Sequence, residues 1–180
     1  MSELTVPVTE RDHIRGSDRA VVTLVEYGDY QCPHCGQAYP VVEELIRQLG
    51  PVLRVVYRHF PLTSMHPRAE PAAEAAEAAG AQDKFWEMHT QLFENQDALE
   101  DTDLIGYADA IGLDVDEFTD DLASRTHAAR IREDMLGGIR SGVNGTPTFF
   151  INGVRHDGPY DFGSLFAAIE ASAGASAGRP

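Results

Sequence analysis

The stretch VEYGDYQCPHCGQAYP, residues 25–40, contains both cysteines of the 180-residue chain, Cys32 and Cys35, with Pro33 and His34 between them. Immediately before it, residues 20–27 (AVVTLVEY) form a β-branched, apolar run that ends at Gly28. Near-continuous hydrophobicity over that length predicts a strand buried on both faces. After the pair, Ala38, Val41, Val42, Leu45, Ile46 and Leu49 recur at spacings of three and four. That spacing predicts a helix over residues 33–49, stopped by Gly50-Pro51 and kinked at Pro40. A second apolar run over residues 52–60 completes a strand–helix–strand unit with the cysteine pair at the strand-to-helix junction.

The rest of the chain reads as a helical block followed by a hairpin and a helix. Residues 68–80 are alanine-rich, 83–95 carry Phe85, Trp86, Met88, Leu92 and Phe93, and further helical patterns cover 103–111 and 117–136. Gly137-Gly138 and residues 142–145 break the pattern. Residues 146–158 (TPTFFINGVRHDG) then read as two short strands around an Asn152-Gly153 turn. Residues 162–171 form a last helix, and 174–180 a frayed tail. The order is βαβ, a helical block of roughly eighty residues, then ββα, within the ~100–200 residues typical of one domain. The expected boundaries are 18–62 with 143–172 for the α/β part, 63–142 for the insertion, 1–17 for an N-terminal extension and 173–180 for a flexible tail.

Composition narrows the function. Lys and Arg number 14 against 29 Asp and Glu, a net charge of −15. Nucleic acid and anionic membranes select clustered basic residues, so neither is an expected partner. No leader-like start and no long apolar run is visible, so a cytoplasmic location and no membrane insertion are expected. A soluble domain of a longer exported or membrane protein would instead be extracytoplasmic. In a reducing cytosol a cysteine pair is more often catalytic, redox-active or metal-binding than structural. The seven histidines contain no H-x₃₋₅-H pair, so zinc is not expected.

At the helix N-cap, with Pro33 in the first helical position, Cys32 would meet backbone donors and the positive end of the helix dipole, both favouring a thiolate. Cys35, one turn in, would be the less exposed, resolving thiol. His34 either stabilises the Cys32 thiolate, making the disulfide a better oxidant, or points into solvent. Glu26, six residues before Cys32, is either an exposed strand-end acid or a buried carboxyl pushed toward its neutral form and suited to passing protons.

Together, Cys32-Pro33-His34-Cys35, the helical block and Thr146-Pro147 before a strand resemble the DsbA-like branch of the thioredoxin superfamily over roughly residues 18–172. The resemblance implies an α/β thioredoxin fold, βαβ plus ββα, with an inserted all-helical subdomain. It implies thiol–disulfide exchange through a Cys32 mixed disulfide, with Pro147 cis and across from Cys32, although an ordinary trans proline opening an edge strand needs no active site. The Thr146 backbone would pair with an extended substrate segment, and Glu26 would accept the Cys35 proton. Cofactors and metals are not required. Partners would be cysteine-containing proteins or small thiols and an unidentified redox partner; oxidation, reduction and isomerisation remain open. Two other functions stay in view: a cytosolic thiol-dependent transferase or peroxidase, and a redox-switched binding or chaperone module.

Overall fold

A computed structural model of the chain describes residues 2–177. Its elements are β1 (His13–Gly16), β2 (Val22–Gly28), α1 (Pro33–Leu49), a 3₁₀ turn (Gly50–Val52), β3 (Leu53–His59), α2 (Ala69–Ala81), α3 (Phe85–Glu94), α4 (Asp101–Ala110), α5 (Val115–Ser124), α6 (Ala128–Arg140), β4 (Thr148–Ile151), β5 (Val154–His156) and α7 (Phe162–Ala177). The strands form one mixed sheet in the order β1-β3-β2-β4-β5. The pairs β1–β3, β2–β4 and β4–β5 are antiparallel, and α1 is the crossover that parallel neighbours β2 and β3 require. This is an α/β thioredoxin fold, βαβ plus ββα, with the helices α2 to α6 inserted between β3 and β4.

Contacts divide the chain into two compact units, residues 1–28, 37–58 and 137–180 in one and residues 29–36 and 59–136 in the other. In the sheet unit, β2 is buried at six of its seven positions, as a continuous apolar run requires. Val22, Leu24, Leu45, Leu53, Val55, Phe149, Leu165 and Ile169 form the core, at most 2% exposed each. The Asn152-Gly153 turn has φ of 47° and 84°, the paired left-handed conformation of a tight hairpin. Asn152 also accepts from Thr23 N–H at 2.8 Å, fixing the hairpin to the start of β2.

The stretch expected to be an extension is integrated into this unit. His13–Gly16 pairs with β3 as β1. Leu4 N–H donates to Gly153 O and Arg155 N–H to Ser2 O, so the first residues extend along β5. Arg58, 3% exposed, fixes the segment between them. Its guanidinium donates to both Asp12 oxygens at 2.8 and 3.0 Å, to Val6 O, Pro7 O and Tyr27 Oη. Burial alone would lower its pKa; the Asp12 and Tyr27 hydrogen bonds outweigh this and raise it.

In the helical unit, the expected single helix over 117–136 is two, α5 and α6, because Arg125 adopts φ 52° and ends α5. Its side chain then bonds Glu70 and Glu74 of α2. The helix α6 also runs through Gly137-Gly138 to Arg140. Within the sheet unit a Cβ at Gly137 would meet Val6 Cγ2 at 3.3 Å, so the missing side chain serves close packing there, not helix termination. Helix α1 continues through Pro40, and α7 extends to Ala177 instead of ending near 171. The last three residues of the expected tail lie outside the described residues.

The Arg58 arrangement yields a stability prediction. Asp12→Ala leaves a buried guanidinium without its carboxylate, which costs about 3–5 kcal/mol. Urea unfolding of the variant should show that loss, whereas removal of a surface ion pair would cost under ~1 kcal/mol.

Candidate active site

The helical unit contains the cysteine pair. Cys32 precedes the first residue of α1 and is the N-cap, with Pro33 at the first helical position, where a missing N–H is harmless. Gly36 N–H donates to Cys32 O at 3.1 Å, the first intrahelical bond. Cys32 is 3% exposed and Cys35 is fully buried, so the asymmetry between them is small. Pro33 and His34 are exposed and form the outer surface of the turn.

Asp29 shapes this turn. Its Oδ1 accepts from Gln31 N–H at 2.8 Å and Cys32 N–H at 3.1 Å; its Oδ2 accepts from Leu62 N–H at 2.9 Å and is hydrogen-bonded to His66 Nδ1 at 2.8 Å. One carboxylate thus links the entrance of α1 to the loop that follows β3. Gln96 supplies the complementary support: its amide donates to Tyr30 O at 2.8 Å and Cys32 O at 2.9 Å. Tyr30 is buried, bonded through Oη to His89 Nδ1 at 2.9 Å, with its ring tilted by 53° against Phe93 at a centroid distance of 4.8 Å. The backbone on both sides of Cys32 is therefore held, a preorganised turn in a region where loops are usually mobile.

The other candidate residues lie in the sheet unit. Glu26 is 3% exposed, the buried alternative of its two sequence readings, and pairs with Phe149 in the β2–β4 ladder. The Thr146–Pro147 peptide bond is cis, and both residues are half-buried just before β4. Tyr27 pairs with Thr148, so this bond lies one residue past the ladder, at the end of β2 from which the chain leads to Asp29.

The sequence reading passed over Asp29, His66 and Gln96. Asp29 carries a local signal, an acid three residues before an N-cap, where Asx side chains accept backbone N–H groups. Gln96 has none, since it reaches Cys32 from 64 residues away.

Comparison with known proteins follows from this geometry. A thioredoxin family model matches residues 8–171. The chain therefore belongs to the thioredoxin family, and its fold is that of the DsbA-like members. The crystal structure of a thioredoxin-like oxidoreductase from Silicibacter pomeroyi DSS-3 is 29% identical, covers 91% of this chain and 93% of that one, and superimposes with a TM-score of 0.80. Wolbachia pipientis α-DsbA1 gives 0.83 at 23% identity, covering 97% of this chain and 96% of its own. Among curated relatives, Na(+)/H(+) antiporter NhaA 1 of Salinispora arenicola is 51% identical over 179 residues, which is 99% of this chain and 27% of the antiporter. The chain thus spans about a quarter of the length of such relatives. Among its described residues no helix is long and apolar enough to cross a membrane.

Gly36 and Gln96 provide a test of the turn's construction. A Cβ at Gly36 would collide with the Gln96 side-chain amide. In a helix Gly→Ala ordinarily stabilises by about 0.5–1 kcal/mol. Here Gly36→Ala should destabilise the native protein, because it displaces the Gln96 hydrogen bonds. In a Gln96→Ala background the same change should revert to stabilising. Urea midpoints of the four proteins in the double-mutant cycle measure that reversal of sign.

Proposed function

We propose that the chain is a thiol–disulfide oxidoreductase that exchanges disulfides with cysteine-containing proteins or small thiols through Cys32. The observation that carries the proposal is the placement of Cys32 at the N-cap and Cys35 in the first turn of one helix, directly after a buried strand. The helix N-terminus favours negative charge on the first sulfur. The second sulfur, one turn away, is within reach for resolution, which favours disulfide exchange over a one-cysteine peroxidase or transferase.

In the reducing direction the Cys32 thiolate attacks one sulfur of a substrate disulfide. The Cys32–substrate bond forms, the substrate S–S bond breaks, and the departing thiolate takes a proton. Cys35 gives its proton to Glu26 and attacks the Cys32 sulfur. The Cys32–Cys35 bond forms, the mixed disulfide breaks, and the second substrate thiolate leaves. Two electrons pass from the protein dithiol to the substrate, and the reverse sequence oxidises a substrate dithiol. Neither direction requires a metal or organic cofactor. The Thr146 backbone is assigned to hold an extended substrate segment by strand addition, and His34 to favour the thiolate.

The likeness to a quarter of an Na(+)/H(+) antiporter supports a second element of the proposal: the exchange domain works as part of, or beside, a membrane transport protein. Its potential bears on direction: a pair well above the cytosolic poise of about −220 to −260 mV is an oxidant by chemistry, and one at or below it favours reduction of substrates.

Incubation with glutathione disulfide tests the proposal. Cys35→Ser should accumulate a mixed disulfide on Cys32, and Cys32→Ser should form none; equal labelling of both variants, or of neither, defeats it. The proton role is separable. Glu26→Gln should slow resolution of the mixed disulfide within roughly pH 6 to 9, where the Cys35 thiol must lose its proton to attack. A rate equal to that of the parent across that range removes Glu26 from the mechanism.

A further inference from the structure

We infer that Asp29 is a positioning residue that sets the redox balance of the Cys32–Cys35 pair, its carboxylate holding the Cys32 turn and opposing the Cys32 thiolate, with His66 offsetting the charge. The inference rests on the thiol–disulfide reading above and adds a residue to it.

The Asp29 side chain is fully buried, and that of His66 is 14% exposed. Three backbone groups donate to the carboxyl, Gln31 N–H and Cys32 N–H at Oδ1 and Leu62 N–H at Oδ2, and His66 Nδ1 is hydrogen-bonded to Oδ2 at 2.8 Å. Both oxygens therefore accept from backbone donors, an arrangement that suits a carboxylate. One of these bonds is from the backbone N–H of Cys32 at 3.1 Å, so a negative charge is held at the residue whose sulfur must carry another. Like charges in a buried setting are weakly screened and disfavour each other's ionised form. The start of α1 favours the thiolate and Asp29 works against it, the two competing at one residue.

A cap that only tied the chain together would act without regard to charge, and the sign of two substitutions separates the cases. Asp29→Asn keeps the size and one acceptor oxygen but removes the charge, so the Cys32 thiolate becomes easier to form and the pair a stronger oxidant. His66→Phe removes the imidazole hydrogen-bonded to Oδ2 and leaves the carboxylate in place with less compensation, so the pair becomes a weaker oxidant. Loosening of the turn, by contrast, would move both variants in one direction.

The experiment is a glutathione redox titration of the full chain, wild type and both variants, read by thiol alkylation. Thiolate absorbance against pH and urea midpoints accompany it. Asp29→Asn is expected to shift the equilibrium with glutathione about tenfold toward oxidising, ~30 mV, and to lower the Cys32 titration. His66→Phe is expected to shift both the opposite way by a smaller factor. Shifts of the same sign, or none, in a wild-type protein that does exchange with glutathione overturn the inference and leave Asp29 a cap. If Asp29→Asn does not fold, His66→Phe decides alone: a lowered potential supports the inference and an unchanged or raised one overturns it. A wild-type pair that never equilibrates with glutathione defeats the functional reading instead, and the inference with it.

Discussion

The buried carboxylate of Asp29 is the constraint on which the cysteine turn depends. The chain leaves β2 at Gly28 and must reverse into α1 within four residues, a passage whose backbone N–H groups have no ladder or helix to join. Asp29 accepts two of them, from Gln31 and Cys32, and with its other oxygen accepts Leu62 N–H and meets His66 Nδ1. A single side chain therefore satisfies donors from both segments, and the alternative, unsatisfied buried groups, would cost about 1–3 kcal/mol each. Gln96 meets the carbonyls on the opposite side of the same turn. The geometry at Cys32 is thus fixed by polar contacts over long sequence distances and not by helix propensity.

Much of the fold was legible because its signals are local. The apolar run of β2, the three-and-four spacing of α1 and the Asn152-Gly153 turn each encode their conformation within ten or so residues, and the family motif places Cys32 and Cys35 by itself. What could not be read was set by tertiary context. Gly137-Gly138 resembles a helix stop, but Gly137 is small because Val6 packs against it. Arg125 carries no turn signature, yet its left-handed backbone divides one helical pattern into two. β1 is only four residues long and nearly featureless alone; its partner on β3 makes it a strand. Gln96 and His66 belong to the site only through contacts that the linear order does not announce.

The two units differ in how they hold charge. In the helical unit, Arg125 bridges Glu70 and Glu74 across helices, and the buried Asp134 carboxyl is pushed up chiefly by burial, against the pull of His59 and Arg130. In the sheet unit, one guanidinium collects nearly all the polar demand of its surroundings. With 29 acidic residues in 180, most negative charge is on the surface, and of the buried carboxyls Asp29, Glu74 and Asp134 each accept from a named donor.

The Arg58 cluster affects how this domain can be cut from, or joined to, other sequence. Its ligands Val6, Pro7 and Asp12 all lie ahead of β1. A fragment started at residue 18, where the pattern of strands and helices invites a boundary, would keep the whole cysteine motif and yet leave the Arg58 guanidinium without those partners. Residues 2–12 are consequently a clasp on the sheet, held by the β5 pairing at one end and by Arg58 at the other.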